Sequence, residues 1–257
     1  MRAIWSGAIG FGLVNIPVKL FSATQAAELD LDMLDKKDHA NIKYHRVNAN
    51  TGREVEWDDI VKGFKVEDEY VVLDEKDFEK ASPEKTKIIE INEFVNEKDI
   101  DSIYYETPYY LQPEKSGGKP YALLRDALKK TGKCGLGSYV LRNRESLVLI
   151  KPMDDLLILN KIRFQQEIRE TEDLVVPEVK IKPAELAMAT QLIEQMTTDF
   201  DISRYKDTYN ENLLKLIMAK AKGKKPAAPK MKIVHSKSKD LMAQLKESLA
   251  APRRKAS

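Results

Sequence analysis

The sequence predicts a mainly β protein with added α: a barrel of short strands, interrupted by a long polar excursion and followed by helices. Three observations predict it. Short apolar runs, several with a period of two, recur between residues 14 and 164, with few helical stretches between them. From Pro183 the hydrophobic period becomes helical. Between the first strand and the rest lies a polar stretch, residues 30–68, that fits neither period.

The elements follow in order. Gly7, Gly10 and Gly12 read as a turn-rich approach with a bulged turn; no Lys-Ser/Thr pair follows, so a phosphate loop is disfavoured. Val14, Ile16, Val18 and Leu20 alternate with Asn15, Pro17, Lys19 and Phe21 and form a strand. Pro17 cannot donate to a ladder, which places that strand at an edge or a bulge. After the polar stretch, Tyr70–Leu73 is a short strand and Asp74 caps a helical turn through Lys80. Ile89 and Ile91 mark a further strand. Tyr104-Tyr105 and Tyr109-Tyr110 flank Thr107-Pro108, giving two short strands or one interrupted by proline. Pro120 opens a helix with Tyr121, Leu124, Ala127 and Leu128 on one face, and Gly132 ends it. Leu136–Leu141, Leu147–Ile150 and Leu156–Phe164 are strand-like. Leu186, Leu192, Ile193 and Met196 mark one late helix. A second follows Asp201, carries Tyr205, Tyr209, Leu213, Leu216 and Ile217, and stops at Gly223. A last amphipathic segment has Leu241, Leu245 and Leu249 on one face.

The chain has 257 residues, 42% of them hydrophobic and 33% charged. That is one large domain, or one with a tail. No apolar run approaches the roughly 18–20 residues of a membrane span. The opening Met1–Gly7 lacks the apolar stretch of a signal peptide. The single cysteine, Cys134, fits a reducing compartment and reads as a small buried residue. A cytoplasmic location is expected, with no membrane partner. Net charge is only +2, but its distribution is uneven. Residues 1–114 carry -10, residues 115–163 carry +7, residues 164–203 carry -6 and residues 204–257 carry +11. Two separate basic segments suggest a polyanion partner; solvated surface and a disordered tail explain them equally well.

Catalytic groupings are scarce. His39 and His45 lack a partner ligand cluster, so no metal site is expected. The acid pairs Asp58-Asp59, Glu67-Asp68-Glu69, Asp74-Glu75 and Asp154-Asp155 would suit a magnesium-dependent nuclease, or simply an acidic surface. No base-reading module is visible. The basic residues are better placed for chemistry. Lys36, Lys37, Lys43, Arg46, Arg53, Lys62 and Lys65 thread the polar stretch. Lys129, Lys130, Lys133, Arg142 and Arg144 cluster around one helix end and one strand turn. Such residues neutralise phosphates without reading sequence. A nucleoid or RNA-binding protein driven by the tail alone is a further alternative.

The opening Ala3-Ile4-Trp5-Ser6-Gly7-Ala8-Ile9-Gly10-Phe11-Gly12-Leu13-Val14-Asn15-Ile16-Pro17-Val18-Lys19-Leu20-Phe21-Ser22-Ala23-Thr24 closely resembles that of bacterial Ku proteins. These are the DNA end-binding factors of non-homologous end joining. The resemblance continues through Ile60-Val61-Lys62-Gly63-Phe64, Tyr70-Val71-Val72-Leu73, Tyr121–Leu128, Thr131-Gly132-Lys133, Glu185–Ala189 and Tyr205–Tyr209, and so covers about residues 1–222.

The resemblance implies a Ku-type β-barrel with a bridging arm and C-terminal helices, closed by homodimerisation into a ring that threads double-stranded DNA ends. It implies no enzyme activity and no cofactor. Residues 1–200 would be the core, with the arm at about 30–68 and a dimerisation helix at about 183–198. Residues 201–223 would form the minimal C-terminal region that recruits an ATP-dependent DNA ligase, with Arg204, Tyr205, Tyr209, Leu213 and Leu216 as the contact residues. Residues 224–257 would be a basic, largely flexible extension. Lys36, Lys37, Lys43, Arg46, Arg53, Lys62, Lys129, Lys130, Lys133, Arg142 and Arg144 are the expected phosphate contacts. Some relatives carry a cysteine pair near the turn at Asn48–Gly52; this chain has none, so no metal is expected there. The location implied is bacterial and nucleoid-associated.

Overall fold

The computed structural model describes residues 1–81, 86–141, 144–223 and 241–250. Nine strands and five α-helices are present among these residues: β1 Trp5–Phe11, β2 Val14–Ser22, β3 Lys62–Val66, β4 Glu69–Leu73, α1 Glu75–Ala81, β5 Ile88–Asn96, β6 Tyr105–Pro113, α2 Gly118–Thr131, β7 Lys133–Leu141, β8 Arg144–Met153, β9 Leu156–Ile162, α3 Pro183–Met196, α4 Thr208–Ala221 and α5 Leu241–Ala250. Seven strands close a barrel in the order β1-β2-β6-β9-β8-β7-β5. Closure is made by β1 running parallel to β5, while the other pairs are antiparallel. β3 and β4 form a separate two-stranded hairpin. The expected mainly β fold with added helices is what forms.

The period-two pattern becomes the barrel interior. Ile16, Val18 and Leu20 of β2 are fully buried beside Ile9, Ile89, Leu111, Val148, Ile150, Leu157 and Leu159. α2 packs Tyr121, Leu124 and Leu128 into the same core. The Tyr121 hydroxyl donates to the Leu111 carbonyl at 2.6 Å and accepts from the Leu157 N–H at 2.6 Å. It therefore ties α2 to β6 and β9 where those strands are partners. Leu149 of β8 points the other way, into a second cluster with Cys134 and Ile162. β8 is thus buried on both faces, which is why its run Leu147–Ile150 does not alternate.

Several local expectations change. The glycine-rich opening is not a turn but strand β1, joined to β2 by the two-residue loop Gly12-Leu13. Gly12 takes a positive φ there, at +56°. Pro17 sits in neither an edge strand nor a bulge: β2 has a partner on each side, and its register with β1 is continuous. The proline is tolerated because it lies just outside the β6 ladder, which begins at Val18. Its carbonyl accepts from the Glu114 N–H at 2.9 Å instead. Tyr105, Tyr109 and Tyr110 lie in one strand, β6, with a register shift between Tyr105 and Thr107, while Tyr104 ends the 3-10 turn Ser102–Tyr104. The second late helix starts at Thr208, not after Asp201. Asp201 closes only a 3-10 turn over Ile202–Arg204, while the Asp207 carboxylate accepts from the N–H groups of Tyr209 and Asn210 and caps α4. Arg204 and Tyr205 therefore precede the helix.

Two compact units emerge. One contains Met1–Ala26 and Asp32–Thr171, hence the barrel and the hairpin; the other contains Ala27–Leu31 and the chain from Glu172 onward. In the second unit α5 packs against α3, and the Asn210 amide of α4 donates to the Ala27 carbonyl at 3.0 Å. No helix among the described residues is long and apolar enough to cross a membrane.

Candidate nucleic-acid interface

The polar stretch is built rather than formless. It makes the same turn twice. The N–H of Asp35 donates to the Ala40 carbonyl, and that of Asn48 to the Arg53 carbonyl, both at 2.8 Å. His39 donates back to the Asp35 carbonyl and Gly52 to the Asn48 carbonyl. The Asp35 side chain accepts from the Lys37 N–H and the Asn48 side chain from the Asn50 N–H. His39 and Gly52 have φ of 60° and 69°. Asp and Asn start such turns because their side chains mimic a backbone acceptor. The stretch then continues into the hairpin β3-β4, which runs to Leu73. The polar composition up to residue 59 concealed this; the alternation of Lys62, Phe64 and Val66 is the signal that finds the hairpin.

Lys36, Lys37 and Arg53 ride on the two turns, Lys43 lies between them, and all are exposed. The Arg46 guanidinium lies over the Trp57 ring, 4.5 Å from its centroid, and the Lys62 ammonium lies 5.1 Å from the centre of the Phe78 ring. Among the described residues none of these six cations has a carboxylate within ion-pair distance. Lys65 of the same stretch pairs with Asp68; in the barrel and α2, Lys19 pairs with Glu114, Arg125 with Asp126, Lys151 with Glu97 and Lys161 with Glu106. Those six cations are available to an outside anion, within a stretch, residues 30–73, that holds seven Lys/Arg and eleven Asp/Glu.

The barrel's basic residues divide. Lys129 and Lys130 occupy the last turn of α2, and Lys133 begins β7 opposite Asn96. Arg144 begins β8 opposite Leu141, at the other end of β7. At about 3.3 Å per residue, β7 separates the two groups by roughly 26 Å. The single cluster expected from sequence is therefore two sites, divided by one nine-residue strand. All four side chains are exposed and without an ion pair among the described residues, and Arg142 lies outside those residues.

The acid pairs have structural employment. Asp154-Asp155 and Glu67-Asp68 are hairpin loops, with Asp154 and Glu67 at φ of 48° and 53°. Asp74 accepts from the Asp77 N–H and caps α1. Asp58-Asp59 lie on the 3-10 turn Trp57–Asp59. Among the described residues no three His, Cys, Asp or Glu side chains gather to hold a metal ion. His45 pairs with Glu54 at 2.7 Å across the second turn. Cys134 is buried, and burial pushes its thiol pKa up, away from nucleophilic use.

Two apolar surfaces complete the picture. Phe64, Val66 and Val71 share one face of the β3-β4 hairpin and all are exposed, Phe64 at 68%; nearby in the chain Trp57 is exposed at 67%. In α4 the sequence-chosen Leu213 and Leu216 are half-buried within their unit, whereas Tyr205, Tyr209, Leu214 and Met218 are exposed.

A family model described as the Ku70/Ku80 beta-barrel domain matches residues 10–188. A Pseudomonas aeruginosa protein named non-homologous end joining protein Ku is 41% identical over 247 residues, covering 94% of this chain and 84% of the relative. A Coxiella burnetii protein of the same name is 38% identical over 261 residues, covering 96% and 94%. One from Opitutus terrae is 40% identical over 255 residues, covering 97% and 91%. The matched span takes in all of the arm and nearly all of the closed barrel, and on these grounds the chain belongs to the Ku family.

Proposed function

We propose that this chain is a non-catalytic DNA end-binding factor of non-homologous end joining, and that two copies close into a ring around the duplex. The observation that carries the reading is the arm. It combines six cations without an ion pair among the described residues with an exposed apolar hairpin face. A lone two-stranded hairpin is marginal in water, so such a face calls for a partner. A second copy supplies it and brings a second set of cations to the same duplex. The relatives' shared name supports the end-joining role.

Binding in this reading is encirclement plus phosphate neutralisation, with no base readout. Lys36, Lys37, Lys43, Arg46, Arg53 and Lys62 line the arm's share of the ring. Lys129, Lys130 and Lys133 make one further phosphate contact region, and Arg142 with Arg144 another. No cofactor is required, because enclosing DNA breaks no bond. The region 201–223 recruits the pathway's ATP-dependent ligase, and the protein acts on the nucleoid in the bacterial cytoplasm.

Sedimentation equilibrium tests the dimer. The unmodified chain is expected at twice its chain mass, and the pair Phe64→Glu with Val71→Glu at the monomer mass with duplex binding lost. A monomeric unmodified protein that still holds duplex tightly would overturn the ring.

A further inference from the structure

The outer wall of the barrel carries a polar recess that none of the expected phosphate contacts enters. Val18 and Leu20 of β2 point into the core, so Lys19 between them points out, and its cross-strand partner Gln112 of β6 points out beside it. Just past β6 the 3-10 turn Lys115–Gly117 folds back against β2. The Glu114 N–H donates to the Pro17 carbonyl and the Gly117 N–H to the Glu114 carbonyl, both at 2.9 Å. A Cβ at Gly117 would come 2.8 Å from the Pro17 carbonyl oxygen, so glycine permits this approach. Lys19, Gln112, Pro113, Glu114, Lys115 and Ser116 thereby line one open recess of about 520 Å³. Its walls hold two ammonium groups, an amide and a hydroxyl against a single carboxylate. Lys115 has no ion pair among the described residues. Lys19 reaches Glu114 only at 3.9 Å, with the two side chains 48% and 42% exposed. Such a pair is weak and exchanges readily for a better anion.

We propose that this recess binds a phosphate group. Lys19 and Lys115 supply the charge, and the Gln112 amide and Ser116 hydroxyl supply directional donors to the phosphate oxygens. Glu114 competes with the phosphate for Lys19, so its carboxylate opposes binding. The same chemistry has two sources: the backbone of the duplex that the chain is proposed to enclose, and free phosphate or a phosphate monoester. The duplex source rests on that end-binding reading; the recess itself does not.

The test uses the full chain in two arms. In one, affinity for linear duplex is measured across a salt series; in the other, inorganic phosphate is titrated into DNA-free protein by calorimetry. Lys19→Ala with Lys115→Ala removes both cations, and Glu114→Gln removes the competing carboxylate while keeping its shape. Glu93→Gln, at an exposed carboxylate of β5 outside the recess, controls for net charge. With the duplex backbone as source, the lysine pair lowers duplex affinity about tenfold. It also flattens the log–log salt slope by about 1.8, for one phosphate per copy of a dimer. Glu114→Gln then raises duplex affinity more than Glu93→Gln does. With free phosphate as source, the same signs appear in the calorimetric arm and duplex affinity stays unchanged. Either result supports the recess, and because Glu114→Gln gains binding, misfolding cannot imitate it. A lysine pair that changes neither arm, with Glu114→Gln no different from Glu93→Gln, overturns the recess and leaves end binding standing. An unmodified chain that binds no duplex overturns the end-binding reading, and the phosphate arm alone then decides the recess.

Discussion

The guanidinium of Arg46 rests on the face of Trp57, 4.5 Å from the ring centroid, with both side chains exposed on the arm. The indole holds the cation in place without neutralising it, so its N–H groups remain free for phosphate oxygens. Replacing Arg46 and Arg53 together by alanine removes two phosphate contacts per copy, four per dimer. The salt dependence of duplex binding should flatten by about 3.6 in log–log slope. Affinity should fall alike for all sequences, as read by titration on several duplexes. A changed sequence preference would point to base contacts instead.

Lys133 and Arg144 stand at opposite ends of β7. Losses from charge reversal at Lys129, Lys130 and Lys133 should therefore add to those from Arg142 and Arg144, within about 0.5 kcal/mol. A double-mutant cycle on duplex affinity measures this. Strong coupling would contradict two independent phosphate contacts.

Tyr121 bridges Leu111 and Leu157 from within the core. Tyr121→Phe keeps the ring but leaves a buried carbonyl and a buried N–H unpaired. The expected cost is about 2 to 4 kcal/mol, read by chemical denaturation. A neutral substitution would show that the strands re-pair on their own.

Tyr139 is buried against Trp5, and burial, with Tyr109 and Glu106 adding to it, pushes its pKa up to about 12. The unfolded side chain ionises near 10, so the neutral form is favoured by folding. That contribution is complete below pH 10 and is lost as pH rises toward 12, amounting to about 2 to 3 kcal/mol. Tyr139→Phe should flatten the alkaline stability profile across this window. An unchanged profile would place the titrating group elsewhere.

Truncation after Phe200 removes α4 and α5 and spares every strand of the barrel and arm. Duplex binding should persist and ligase stimulation should vanish, as read by gel shift and by an end-joining assay. Retained stimulation would move the ligase contact into the core.

The barrel was legible where one face of a strand is buried. Ile16, Val18 and Leu20 alternate with exposed or half-buried neighbours, and Ile89 and Ile91 do the same. Legibility failed where long-range pairing decides. Nothing local to Pro17 says that the β6 ladder starts one residue later. The strand Leu136–Leu141 is legible, but not that pairing with β5 extends it back to Lys133 and so separates Lys133 from Arg144 by its full length. Gly137 is similar: its backbone runs so close to the Glu90 carbonyl that a Cβ would overlap it, an approach fixed by the irregular β5-β7 register. At the site, the cations and the long polar stretch that carries six of them are readable from composition. Which cations stay unpaired depends on neighbours remote in sequence.

The most direct measurement compares binding to linear and to covalently closed circular duplex of identical sequence, in moderate salt with unlabelled competitor. The account predicts stable binding to the linear form alone, and protein trapped on it when the ends are blocked afterwards. Equal binding to both forms would contradict encirclement and leave an open polycation.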